Sequence, residues 1–309
     1  MDDVLPFDFL SSFSTFIICL TFSIVYVIGL YLLSPSSRRY ERNHSHVICR
    51  RFLAVFIVCS LIYLFLKHTC NPNININIWL GFRTNISSIW KLFLYPILLT
   101  LTLYLGPIIQ WIDLINWRYY RYNWLYHFQC RNRNEQLIFI RNYLVAPFTE
   151  EFVFRSSILC LLYSHVSLSS AIFLSPLFFG LAHLHHMIEH FKQNHHEEHH
   201  RLPAMTIILI HLFQFSYTYI FGVYSSFLFI RTGHFIPSFI IHTLCNGLGI
   251  PDVMNLVDIQ NGQGLRKFFY MICYLIGLWL FSMNLYFLTQ SNFYYSNDSS
   301  VVIYRHWSR

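Results

Sequence analysis

Glu150 and Glu151, followed four residues later by Arg155, sit in the otherwise apolar run from Leu144 to Tyr163. Charged groups are costly inside a membrane span, so each one there marks a candidate functional site. Glu151 and Arg155 share a helical face, and that spacing predicts an ion pair that neutralises both. Glu150 points about 100° away on the same helix and has no cation at helical spacing. That leaves it as the candidate general base, the group that takes a proton from an attacking nucleophile. The plainer account of Glu151 and Arg155 is structural, a buried pair that fixes helix packing.

Two further clusters carry groups able to join that chemistry. Phe179 and His183 stand one turn apart, with Gly180 and Ala182 between them to let another helix approach closely. His183 reads equally as a ligand or catalyst and as a satisfied core histidine. His242 and Asn246 share one face of a later helix. Side by side, an imidazole and a carboxamide can donate two hydrogen bonds to a developing oxyanion. They can equally be interhelical glue.

The elements that position these groups are membrane helices. The 309 residues are 55% hydrophobic and only 11% charged, against about 25% charged in an ordinary soluble domain. Aromatic residues make up 19%, with 31 Phe and 21 Tyr, suiting lipid-facing surfaces and interfacial belts. The fold expected is all-α: one membrane-embedded helical bundle over 1–309, with the motifs in a core at about 137–250. Eight apolar segments are expected near 9–33, 52–66, 89–112, 137–164, 168–184, 204–230, 234–249 and 268–290, the second and seventh being short. Met1-Asp2-Asp3 is acidic and the run after it is too long for a signal-peptide core, so the sequence predicts a first span rather than a cleavable signal.

The net charge of +7 reflects topology. Arg38, Arg39, Arg42, Arg50 and Arg51 fall in one connection; Arg118, Arg121, Arg131 and Arg133 in a second; Lys192 and Arg201 in a third, 185–203; Arg266 and Lys267 in a fourth. These are expected on the cytosolic side. The acidic N-terminus and the connection 67–88, with its sequon at Asn85, are expected on the lumenal side, as is the sequon at Asn297. The eight cysteines are scattered and form no CxxC, which argues against a zinc ribbon or a disulfide framework.

One segment imitates a different chemistry. His196-Glu197-Glu198-His199-His200 spells HExxH, the zinc metalloprotease signature. A zinc site needs both histidines on one face of a sheltered helix, and this stretch is polar all round. It is expected to be a solvated loop.

Taken together, EExxxR, FxxxH and HxxxN follow in order, each on its own segment. The combination resembles the type II CAAX prenyl endopeptidases, part of a broader intramembrane family that includes bacterial immunity-associated proteases. The resemblance covers about 140–250. It implies a hydrolase that removes the terminal tripeptide from farnesylated or geranylgeranylated CAAX proteins through a glutamate-activated water. It implies catalytic roles for Glu150, His183, His242 and Asn246, and supporting roles for Glu151, Arg155 and Phe179. Implied partners are prenylated CAAX proteins such as small GTPases, together with membrane lipid and no nucleic acid. The implied location is the endoplasmic reticulum membrane, with the site open to the cytosol. No cofactor is expected; zinc held by Glu150, His183 and His242 is the variant, and these three lack close metal-ligand spacing. A zinc-dependent membrane protease and a proton- or ion-coupled transporter are the alternatives. The absence of inverted repeats and paired broken helices counts against the transporter.

Overall fold

The computed structural model describes residues 5–32, 43–84, 88–114, 132–196, 201–251, 264–290 and 293–294. The sequons at Asn85 and Asn297, the arginines at 118, 121 and 131, and Glu197 to His200 lie outside the described residues.

Among the described residues, regular structure is helical, without strands. In chain order the helices are α1 (Ser12–Leu32), α2 (Ser45–Thr69), the single turn α3 (Ile76–Trp79), α4 (Ile89–Leu103) and α5 (Leu105–Leu114). A continuous rod follows, built of α6 (Arg133–Ile140), a π turn (Arg141–Val145), α7 (Ala146–Glu151), a second π turn (Phe152–Ser157) and α8 (Ile158–Tyr163). After it come α9 (Leu168–His196), α10 (Ala204–Thr232), α11 (Phe235–Leu248) and α12 (Gly264–Leu288). Helices α1, α2, α9, α10 and α12 are long and apolar enough to cross a membrane, and α4 with α5 makes a sixth span bent by 67°. The rod and α11 account for the other two expected segments.

Two boundaries differ from the sequence expectation. The second segment is not short: α2 runs through 25 residues, because Arg50, Arg51 and Lys67 are accommodated within its end turns rather than in loops. The connection expected at 185–203 is helical as far as His196. Its early part keeps an apolar stripe through Leu184, Met187, Ile188 and Phe191, and this continues the helix past the expected end.

Local chemistry explains the rod's start. Asn132 caps it by accepting a hydrogen bond from the Glu135 backbone N–H at 2.9 Å, while its amide donates to Glu135 Oε1 at 3.1 Å. This reciprocal arrangement satisfies donors that a helix start leaves open. Pro147 falls at the start of α7. Further on, α10 ends at Gly233, whose φ of 58° closes the helix in the left-handed region. The His234 ring accepts from Ile236 N at 3.1 Å and so starts α11 one residue later.

Large apolar side chains cover the outside, and polar ones are gathered inside among an apolar core. Phe13, Leu265, Trp279 and Met283 are exposed, whereas Thr149, Glu151, Arg155, Ser156, Ser157, Ser175, Ser225, Ser238 and His242 are buried. A chain in water would pay heavily for that arrangement; one solvated by hydrocarbon requires it. The rod lies at the centre, buried continuously from Glu151 to Leu162, and it contacts α1, α2, α9, α10 and α11. Close approach is needed where α9 meets α10. A Cβ at Gly180 would lie 2.5 Å from the Phe215 ring, and one at Gly222 would lie 2.7 Å from Pro176.

Candidate active site

The two π turns flank the acid pair. Each closes i→i+5 hydrogen bonds and so inserts a residue into the helical register. Ser157 Oγ donates to Phe152 O at 2.9 Å, five residues back, and occupies a carbonyl within the second turn. Between the turns Glu150 and Glu151 project onto different surfaces.

Glu151 is completely buried. Its Oε1 lies 3.2 Å from Arg155 Nη1 and 2.6 Å from His242 Nδ1, and its Oε2 accepts from Ser225 Oγ at 2.6 Å. The expected Glu151–Arg155 pair is thus present, and the structure extends it to α10 and α11. The Arg155 guanidinium is sandwiched by aromatic faces, 4.2 Å from the Phe179 ring centroid and 5.5 Å from that of Phe221. Those π faces stabilise a cation that has little else polar around it.

Glu150 behaves differently. Its side chain is 20% exposed, and it lines a cavity of about 110 Å³ together with His183, Thr149, Phe179 and Tyr26. Several waters fit such a space, and polar groups line it. His183 Nδ1 is 2.8 Å from Phe179 O. A carbonyl can only accept, so Nδ1 carries the proton and the neutral ring presents Nε2 as an acceptor. Thr149, beside Glu150, is pinned by Tyr26 Oη at 2.9 Å and donates to Val145 O at 2.8 Å.

His242 connects the two acids. Its Nδ1 faces Glu151, and its Nε2 stands 3.6 Å from Glu150 Oε2. The ring packs edge-on against Phe221, with centroids 4.9 Å apart, and against Phe179, 6.2 Å apart. Of the residues singled out by sequence, the fold therefore gathers Glu150, Glu151, Arg155, Phe179, His183 and His242. Asn246 stands one turn beyond His242 at an exposed position, where its amide donates to Asn142 O in the first π turn at 2.9 Å. It makes no described contact with either acid. Among the described residues, no three His, Cys, Asp or Glu side chains are grouped to hold a metal ion.

Several participants were not named from sequence. Ser225 holds Glu151, and Ser238 Oγ donates to Ser225 O at 3.1 Å, tying α11 to α10. Phe221 packs on both His242 and Arg155. The signal for Ser225 was present, since Ser225-Ser226 interrupts an apolar span. At the open end of the cavity stand Tyr31, Arg51, Arg141, His185, His186 and Glu189. The last three were read as loop residues, which concealed that His186 and Glu189 share a helical face.

The polytopic helical bundle thus holds a buried, charge-paired acid beside a second acid facing a cavity. Comparison with known proteins specifies the family. Residues 132–248 match the family described as type II CAAX prenyl endopeptidase Rce1-like. The chain is 34% identical to CAAX prenyl protease 2 of Homo sapiens, over 93% of this chain and 84% of that one. It is 31% identical to CAAX prenyl protease 2 of Arabidopsis thaliana, over 91% of each chain, and 27% identical to the probable CAAX prenyl protease 2 of Schizosaccharomyces pombe, over 87% of this chain and 91% of that one. No solved structure matches. The chain belongs to the type II CAAX prenyl endopeptidases: it is a multi-pass membrane peptidase of the family that acts on prenylated CAAX proteins.

Proposed function

We propose that the protein removes the terminal tripeptide from prenylated CAAX proteins, small GTPases among them, by a glutamate-activated water. The observation that carries this reading is the division of labour between neighbours: Glu151 is sealed and paired on every side, while Glu150 faces a cavity shared with His183.

Peptide hydrolysis needs an activated water, a stabilised oxyanion and a protonated leaving amine. Glu150 takes the proton from a water in the cavity, and His183 Nε2 accepts a hydrogen bond that orients it. The oxygen attacks the carbonyl carbon of the prenylated cysteine, and the bond from that carbon to the next residue's nitrogen breaks. His242 Nε2 and one N–H of the Asn246 amide stabilise the oxyanion. An amide nitrogen has two protons, so Asn246 retains one beyond its bond to Asn142 O. Donation from His242 Nε2 requires a doubly protonated ring. Two carboxylates, one guanidinium and one imidazolium then sum to zero charge, the balance that a low-dielectric site favours. The protonated Glu150 passes its proton to the departing amine. Every group belongs to this chain, and the scheme uses no metal.

The prenyl chain adds apolar burial of about 0.8 kcal/mol per CH₂ and keeps the substrate at the membrane. The cavity opens at the end of the bundle where α2 and the rod begin. This is the arginine-rich end, and it faces the cytosolic side of the endoplasmic reticulum membrane in the topology proposed here.

Membranes containing the full chain, given a farnesylated CAAX peptide, test this reading by mass detection of the released tripeptide. Glu150→Gln abolishes release. Glu197→Gln and chelator treatment leave it near the wild-type rate. An active Glu150→Gln enzyme, or loss of activity on both other treatments, overturns the scheme.

A further inference from the structure

The first π turn strands two backbone carbonyls, and α11 supplies a donor to each. In an α-helix the Tyr143 carbonyl accepts from the N–H four residues on. Here that residue is Pro147, which has no N–H and whose ring crowds the same oxygen. The Asn142 carbonyl is denied the Ala146 N–H, which goes to Arg141 O and closes the π turn. A backbone carbonyl left unpaired away from water is costly. From α11, Thr243 Oγ1 donates to Tyr143 O at 2.8 Å, and Asn246 Nδ2 donates to Asn142 O at 2.9 Å. Gly247 brings the α11 backbone close beside them: a Cβ there would lie 3.4 Å from the Tyr143 ring.

Thr243 departs from the habit of other threonines in the bundle. Thr21, Thr69, Thr100, Thr232 and Thr289 each donate to the carbonyl four residues back on their own helix, the usual local bond of a helical threonine. Thr243 reaches instead to another helix, 100 residues away in sequence. It directly follows His242, whose ring lies between Glu151 and Glu150. Tyr143 stands seven residues before Glu150 on the rod, a rise of about 10 Å.

We propose that Thr243 is a positioning residue for the hydrolysis, holding the α11 face that carries His242 and Asn246 in register with Glu150. The inference rests on the glutamate-dependent cleavage proposed above, because Thr243 acts through those groups. Proline opens the carbonyl and threonine fills it, so the two residues form one device: a bond that an ordinary helix keeps to itself becomes a bond between helices. Without the hydroxyl, α11 can shift along the rod while the bundle stays packed. His242 Nε2, 3.6 Å from Glu150 Oε2, then loses its alignment. Asn246 serves the adjacent carbonyl with one amide proton, so the same shift displaces the proton left for the oxyanion.

A double-substitution cycle tests this on the full chain in membranes with a farnesylated CAAX peptide, with kcat and KM measured separately and rates taken per folded chain. Thr243→Val keeps the side chain's shape without the donor; it lowers kcat about tenfold and leaves KM near wild type. Thr243→Ser keeps the hydroxyl and restores most of the rate. Pro147→Ala gives residue 147 an N–H for the Tyr143 carbonyl, so in that background Thr243→Val costs less than about twofold. An undiminished kcat in Thr243→Val, or a serine variant as slow as the valine one, overturns the proposal. So does an equal loss from Thr243→Val in both backgrounds, the mark of a hydroxyl that serves some other contact. A rise in KM alone overturns it as well, since that assigns Thr243 to substrate binding. If Pro147→Ala does not accumulate, the valine and serine variants decide between these outcomes by themselves. Retained cleavage in Glu150→Gln is a different result: it removes the glutamate mechanism and leaves the Thr243–Pro147 coupling to be judged by its own four rates.

Discussion

The central rod and α12 solve opposite problems with helices of similar length. Along α12 only Tyr270, Cys273 and Gly277 are buried, and its outward residues, such as Leu265 and Trp279, face the lipid. Its one described ion pair, Arg266 with Asp113, lies at the helix end and is also bonded to Tyr270. The rod is buried on every side over its second half and carries an acid pair and an arginine at its middle. A helix can be regular and largely apolar beyond its charged first turn, as α12 is. To hold charge at the centre of a bundle it needs partners from several other helices and, here, two departures from α geometry. The cost of those charges is met by Ser225, His242, Phe179 and Phe221, none of which lies on the rod itself.

Breaking this contrast starts at Glu150. Glu150→Gln lowers turnover by at least about a thousandfold, while the protein extracts and sediments as wild type, because the amide keeps the side chain's size beside the cavity. If the variant instead fails to accumulate, Glu150 is as structural as its neighbour. Arg155→Met acts the opposite way. It leaves Glu151 buried without its guanidinium and destabilises the bundle by about 3–5 kcal/mol, read as a lowered thermal midpoint in detergent. Ser225→Ala removes one charge-assisted hydrogen bond, a loss of about 1.5–3 kcal/mol, and lets His242 move. Activity falls before stability does, and Ser225→Thr, which keeps the hydroxyl, restores part of it. Gly222→Ala forces a methyl against Pro176 and costs about 1–3 kcal/mol. Trp279→Leu on α12 exchanges one lipid-facing apolar group for another and changes neither stability nor turnover measurably; a large effect there would place an unrecognised contact on the outer face.

The motif residues were legible in sequence because membrane spans tolerate so few polar groups. Glu150, Glu151, Arg155, His183 and His242 are conspicuous against leucine and phenylalanine, and helical spacing alone pairs Glu151 with Arg155. Helical spacing also separated the two acids, since only Glu151 has a cation one turn away; what sequence did not reveal was that Ser225 and His242 complete the sealing of Glu151 from two other helices. Those partners are fixed only when neighbouring helices are placed, and the π turns alter the register in a way that no periodicity rule anticipates. The helical extent to His196 was hidden for a related reason. The histidines there look like a polar loop, while the aliphatic stripe that keeps them helical is sparse. Asn246 shows the reverse limit: its spacing from His242 is correct, yet its amide is engaged by the first π turn rather than by the acids.

The paired π turns make residue count inside the rod a setting in its own right. Deleting one residue from Arg141–Val145 removes the inserted residue and returns that turn to ordinary α geometry, with what lies beyond it kept in nearly the same orientation; a deletion within Ala146–Thr149, where no residue is spare, turns Glu150 by about 100° relative to what precedes it. Single-residue losses should therefore be milder inside the π turns than in the α-helical stretch between them.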